Sequence, residues 1–202
     1  MIKNIVFDMG GVLIDYNMNK KAKMAALDED EYNFFMNEIY ANIEWIQSDR
    51  GVCSFKQAIK NCQKRLGNMT DDQVERIVNT AHYPMPPMKG MLNIVKKLKG
   101  NGYKLYVLSN APDNHKLFEP LIEAFKYMDF LFFSCDYHMI KPEKEIYIKF
   151  ADVNNVLLNE CVFIDDSALN VEGAINAGMS GIQFKGDTKR LIKELNDIGV
   201  NV

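Results

Sequence analysis

The chain has 202 residues, 48% hydrophobic and 25% charged, a balance that allows a buried core and excludes disorder and fibrous repeats. Its 24 Lys plus Arg against 27 Asp plus Glu leave a formal net charge of -3, so no field of one sign exists to recruit nucleic acid or a membrane surface. No apolar run approaches a membrane span. Asp8 comes too early for a secretory signal, and Cys53, Cys62, Cys135 and Cys161 lack CxxC spacing, so the chain reads as a reduced, cytoplasmic protein.

The first element is the Ile- and Val-rich run from Lys3 to Phe7, ended by Asp8-Met9-Gly10-Gly11. Similar runs follow at Tyr103 to Leu108, Phe130 to Ser134, Cys161 to Ile164 and Gly181 to Phe184. Each is apolar on both faces, which marks a strand buried in a parallel sheet. Between the later runs the apolar spacing is helical. Met91, Leu92, Ile94, Val95 and Leu98 share a face closed by Gly100 or Gly102; Ile146, Tyr147, Phe150 and Ala151 share one after Pro142, placed at a helix start; Val171, Ala174, Ile175 and Ala177 share one closed by Gly178. Strands alternating with helices predict an α/β fold, a three-layer parallel sheet covered on both sides.

One connection breaks the rhythm. From Asp15 to about Met88 no strand pattern occurs, and the periodic residues are helical: Tyr32, Phe35, Met36, Ile39 and Tyr40, then Phe55, Ala58, Ile59, Cys62 and Leu66, then Val74, Ile77 and Val78. Thr70-Asp71-Asp72-Gln73 has the form of a capping box. Pro84, Pro86 and Pro87 stiffen the return. The expected organisation is a core of residues 1–15 and 89–202 carrying an inserted, small all-helical cap over 16–88.

The carboxyl ends of parallel strands share one sheet edge, where ligands bind. Asp8 follows the first strand, Ser109 and Asn110 the second, and Asp165 and Asp166 the fourth; Lys141 lies downstream of the third. Alone, each is a common turn, cap or surface residue. Together they bring three carboxylates to one place, and each close pair costs about 4 kcal/mol at ~4 Å and an effective dielectric near 20. Lys141 offsets one charge, and a divalent ion with oxygen ligands would offset two; such ligands suit Mg²⁺. The three histidines, His82, His115 and His138, show no spacing of a ligand set.

These residues resemble the haloacid dehalogenase superfamily. Ile5-Val6-Phe7-Asp8-Met9-Gly10-Gly11-Val12-Leu13 is similar to its first motif, Val107-Leu108-Ser109-Asn110 to the second, Lys141-Pro142 to the third and Val162-Phe163-Ile164-Asp165-Asp166-Ser167 to the fourth. The resemblance implies a Rossmann-like core with a helical cap and a Mg²⁺-dependent phosphatase acting through an aspartyl-phosphate. It implies Asp8 as nucleophile and Lys141 as charge neutraliser. Ser109, Asn110 and Lys141 would bind the phosphoryl group, and Asp8, Asp166, Asp165 and the Gly10 carbonyl the metal. The expected partner is a small phosphorylated metabolite, with the protein a monomer or homodimer.

One departure stands out. The family's phosphatases usually carry an acid two residues after the nucleophile; here it is Gly10. The form resembles the glucose-1-phosphate phosphatase-like subgroup, which implies a sugar phosphate, first of all an anomeric one, whose leaving group is easier to expel. Asp15 is the candidate substitute proton donor. Trp45 and Tyr16 are candidates for substrate contact in the cap. The rival readings are a weakly catalytic phosphate-binding or regulatory protein, and another chemistry of the superfamily, dehalogenation or phosphonate cleavage. The last needs a cap lysine in an apolar setting, and none is evident from the pattern.

Overall fold

The computed structural model describes residues 1–40, 42–80 and 85–202, so His82 and Pro84 lie outside the described residues. Five strands form one parallel sheet: β1 (Asn4–Phe7), β2 (Lys104–Ser109), β3 (Phe130–Phe133), β4 (Cys161–Asp165) and β5 (Ser180–Gln183). Their order is β3-β2-β1-β4-β5, with Phe7 in register with Val107 on one side and Ile164 on the other. Alternate residues supply two cores. Ile5, Phe7, Leu105, Val107, Val162 and Ile164 bury one face; Val6, Tyr106, Leu108, Phe132 and Phe163 bury the other. Burial on both sides explains why these strands read as continuous apolar runs rather than alternating ones.

Helices α6 (Met91–Gly100), α9 (Lys144–Asn154), α10 (Ala168–Ala177) and α11 (Thr188–Asp197) connect or follow the later strands. Met91, Ile94, Val95 and Leu98 of α6 pack on the first sheet face, and Ile146, Tyr147 and Phe150 of α9 on the second. Two short helices, α7 (His115–Phe118) and α8 (Ser134–Tyr137), follow β2 and β3. The helix after Lys141 begins later than its sequence suggests: Glu143 is the N-cap of α9. Pro142 therefore sits in the turn before the helix rather than at its first position.

Between β1 and β2 the chain is helical: α1 (Met18–Ala25), α2 (Glu29–Phe34) running into a π turn at Phe35–Ile39, α3 (Ile43–Asp49), α4 (Phe55–Leu66) and α5 (Asp71–Asn79). Local chemistry starts each helix. Asn17, Asp28, Asn42 and Ser54 accept backbone N–H bonds at N-caps, and Thr70 and Gln73 make both bonds of the capping box. These helices bury their own core, centred on Phe35, Ile39, Phe55, Ile59, Cys62 and Ile77. The outgoing and returning chains are tied together: Asp15 N donates to Pro86 O at 2.8 Å and Met88 N to Leu13 O at 2.9 Å. Among the described residues no helix is long and apolar enough to cross a membrane.

Candidate active site

The strand order reverses between β1 and β4, since the chain builds outward from β1 to β3 and then crosses to the other side of β1. A crevice opens at such a switch point, outside the carboxyl ends of the strands. Asp8 directly follows β1, and its backbone N–H donates to Ile164 O at 2.8 Å, which holds it beside the end of β4. Asp165 ends β4, and Asp166 is next. Carboxylate oxygens of Asp8, Asp165 and Asp166 all lie within 4.8 Å of one another.

Lys141 is the cation in this cluster. Its side chain is 1% exposed, and its Nζ donates to Asp8 Oδ1 at 2.8 Å, Asp165 Oδ2 at 2.7 Å and Leu108 O at 3.0 Å. The lysine backbone is clasped by Asn110, whose Oδ1 accepts from Lys141 N at 2.9 Å and whose Nδ2 donates to Lys141 O at 3.1 Å. Both ends of the Asn110 amide are thereby engaged in holding the Lys141 turn. Ser109 is almost fully buried, and its hydroxyl makes only a long 3.5 Å contact to Asn110 O, which leaves it available to a ligand in the crevice.

The two adjacent acids differ in their surroundings. Asp165 is fully buried and its oxygens accept from Lys141, from Ser167 N at 2.8 Å and from Asn170 Nδ2 at 3.2 and 3.1 Å. Asp166 is exposed and lies against the Gly10-Gly11 turn. A Cβ on Gly11 would stand 2.4 Å from Asp166 Oδ2, and the φ of +73° at that glycine is one L side chains rarely adopt. Glycine is thus required for the carboxylate to come this close.

The electrostatics leave room for a positive ion. Burial lowers the tendency of Lys141 to hold its proton, but Asp8 and Asp165 outweigh it and keep the amine above its ordinary value. Burial pushes the Asp8 carboxyl up; Lys141 pulls it down and Asp165 pushes it up again. Burial likewise raises Asp166, with Asp165 adding to it. One ammonium shared among three acids leaves excess negative charge. With carboxylate oxygens of Asp8, Asp165 and Asp166 within 4.8 Å of one another, the donor set fits a hard divalent cation.

A cavity of about 230 Å³ opens above these groups. Asp8, Ser109, Lys141 and Asp166 line it from the sheet edge, and Lys21, Trp45, Asp49, Phe55 and Thr80 from the inserted helices; Tyr16 and Phe118 also border it. Two sequence expectations change here, the one for Asp15 and the one for a cap lysine. Asp15 is exposed and does not line the cavity. His115, close to Asn110 in sequence, stacks on Phe133 with centroids 3.8 Å apart instead of facing the site. A lysine in an apolar setting does exist among the inserted helices: Lys21 is 7% exposed, with Nζ 5.2 Å from the Tyr16 ring centroid and 6.0 Å from that of Phe118, and burial lowers its amine to about 8. It stands beside Lys20 and Lys23 in α1, so in the sequence it reads as one of a run of surface lysines.

Asp49 was also not evident from sequence. It ends α3 and is half-buried, and burial, aided by the charge of Asp8 and opposed by Lys141, raises its carboxyl to about 7. The available signal was an acid in the last turn of a helix, where the macrodipole disfavours negative charge.

The chain is similar to several known proteins. A family model for haloacid dehalogenase-like hydrolases matches residues 2–178. The chain is 26% identical over 158 residues to flavin mononucleotide hydrolase 1 of Arabidopsis thaliana, covering 78% of this chain but only 63% of that protein. It is 29% identical to a sesquiterpene phosphatase of Aspergillus oryzae, over 90% of this chain and 89% of the relative. It is 25% identical to a D-ribitol-5-phosphate phosphatase of Bacteroides thetaiotaomicron, over 91% and 92%. A haloacid dehalogenase family enzyme of Bacteroides thetaiotaomicron, crystallised with magnesium and inorganic phosphate, superposes with a TM-score of 0.74 at 25% identity, covering 95% of this chain and 99% of that one. The match over most of the chain and the shared five-stranded parallel sheet place it in a known family: the chain belongs to the haloacid dehalogenase-like hydrolases.

Proposed function

We propose that this hydrolase is a phosphatase of small phosphorylated metabolites, with Asp8 as nucleophile and Mg²⁺ as cofactor. The observation that carries the reading is the Lys141 ammonium held between Asp8 and Asp165 at the floor of a cavity. An anionic nucleophile must approach a phosphate dianion, so the chemistry depends on positioning and charge neutralisation. Lys141 fixes Oδ1 of Asp8, and the carboxylate lines the cavity, from which it attacks phosphorus. Ser109 Oγ and the Lys141 ammonium bind phosphoryl oxygens, and Asn110 serves by fixing the Lys141 backbone. Asp8, Asp166 and the Gly10 carbonyl would hold the metal, while Asp165, bonded to Lys141, Ser167 and Asn170, braces the cluster. The cation supplies further charge neutralisation at the phosphoryl group. The inserted helices act as a cap that excludes water from the reacting atoms.

A sugar or sugar-alcohol phosphate is the favoured substrate class. The cavity is small, and Lys21, Asp49 and Thr80 of the helices offer charged and polar contacts to hydroxyl groups, while Trp45 and Phe55 offer flat apolar faces. A phosphatase for ribitol phosphate among the relatives points the same way. The test is release of inorganic phosphate from a panel of sugar, sugar-alcohol, flavin and isoprenyl phosphates, with Mg²⁺ or with EDTA. Turnover of sugar phosphates that EDTA stops, Mg²⁺ restores and Asp8→Asn abolishes is the expected result. Binding of phosphate and Mg²⁺ without turnover on any member would refute it.

A further inference from the structure

Gly10 stands where the family's phosphatases carry the acid that protonates the leaving oxygen, and Asp15 is turned to solvent. The described carboxylates that line the cavity are those of Asp8, Asp49 and Asp166. Asp8 is bonded to Lys141, and Asp166 lies against Gly11 on the sheet side. Asp49 alone arrives from the inserted helices, so it faces the phosphoryl site from the side on which the substrate's organic portion must lie. Among the described residues its carboxylate has no hydrogen-bond or ion-pair partner, although its backbone is firmly anchored. Ser134 Oγ, at the end of β3, donates to Asp49 O at 2.5 Å and accepts from Ala111 N at 3.0 Å. Arg50 pairs with Glu143 through two bonds of 2.7 and 2.5 Å, two residues after Lys141. Gly51, at φ +73°, packs so closely that a Cβ would stand 2.2 Å from Cys135 O. An anchored backbone carrying an unengaged carboxylate is the arrangement of a group reserved for a ligand.

Resting on the phosphatase reading above, we propose that Asp49 is the general acid and base of the reaction, taking the role for which Gly10 has no side chain. As an Asp8 oxygen bonds to phosphorus and the bond from phosphorus to the leaving oxygen breaks, the Asp49 carboxyl gives its proton to that oxygen and the alcohol departs. Water then attacks the phosphorus of the aspartyl-phosphate, the Asp8–phosphorus bond breaks, and the water's proton passes to Asp49. The sum is phosphate ester plus water giving alcohol plus hydrogen phosphate, with Asp8 and Asp49 restored. Burial, the charge of Asp8 and the negative end of α3 all favour the protonated carboxyl at neutral pH, against the single pull of Lys141. Tyr16 lies near, and it remains a neutral phenol because burial, with the charge of Asp49, raises it. The consequence is a wider substrate range: esters of ordinary alcohols, and not only anomeric phosphates, come within reach.

The test compares wild type, Asp49→Asn and Asp8→Asn on p-nitrophenyl phosphate, whose leaving group needs little protonation, and on a sugar 6-phosphate, whose alkoxide needs it fully. For Asp49→Asn, kcat/KM on the sugar phosphate falls by about 10² to 10⁴, and by at least tenfold less on the aryl ester. The aryl ester also gives a burst of one equivalent of p-nitrophenol, because hydrolysis of the aspartyl-phosphate has lost its base. Equal losses on both substrates, or none, would overturn the role of Asp49 while leaving the phosphatase reading intact. An inactive wild type, or an active Asp8→Asn, would overturn that reading itself. Asp49→Ser gives the same ratio test should the amide variant fold poorly.

Discussion

Replacing Lys21 with Met should make the protein more stable and a poorer catalyst. The amine lies in a pocket of Tyr16 and Phe118 with no acid partner among the described residues, and burial lowers it from 10.5 to about 8. At 1.36 kcal/mol per pH unit, holding it charged costs the folded state about 3 kcal/mol. The facing rings recover on the order of 1 kcal/mol, leaving a net penalty of about 2 kcal/mol at neutral pH. Methionine of similar length fills the space without a charge, so the variant's melting temperature should rise by roughly 4 to 8 °C for a chain of this size. The pH dependence gives the sign. Below pH 8 both folded and unfolded chains hold the proton, and the wild type carries the full penalty. Between pH 8 and 10.5 the folded chain has shed it while the unfolded chain keeps it, so wild-type stability rises with pH relative to the variant. Urea unfolding of both proteins from pH 6 to 11 reads this directly, and KM for a sugar phosphate should rise as the variant loses a cavity-facing ammonium. Equal stability at pH 7 together with a constant difference up to pH 11 would refute the account of Lys21 as a strained charge.

Other outcomes follow from the same geometry. Asp166→Ala removes the acid whose oxygens are least engaged by the protein, so the Mg²⁺ concentration for half-maximal activity should rise at least tenfold, as read by metal titration of phosphate release. Asp165→Ala instead strips Lys141, Ser167 and Asn170 of their shared acceptor and should cost about 3 kcal/mol or more of unfolding free energy, measured by denaturant titration. Gly51→Ala must move either its own turn or the Cys135 backbone; a loss of about 2 kcal/mol and a fall in activity on alkyl phosphates, measured side by side, are expected because Asp49 is two residues away.

Much of this protein is legible in one dimension. The five strands fall within about a residue of their runs; for the central β1, β2 and β4 this is because burial on both faces of a parallel sheet demands unbroken apolar sequence, whereas edge strand β5 buries only Ile182. The helical insertion is equally plain, since its caps and periodic faces are local features, as Thr70 and Gln73 show. The position of Asp8, Ser109 and Asp165 at one edge follows from strand direction alone. Contacts between residues far apart in the chain decided the rest. Whether Asp165 or Asp166 keeps free oxygens depends on Lys141 and Asn170; what Asn110 does depends on the Lys141 backbone, 31 residues on. The burial of Lys21 and the entry of Asp49 depend on how the helices seat on the sheet, through bonds such as that from Ser134 to Asp49 across 85 residues. Periodicity encodes which face of an element is buried, but not what that face meets, and in this fold the meeting of cap and sheet makes the cavity.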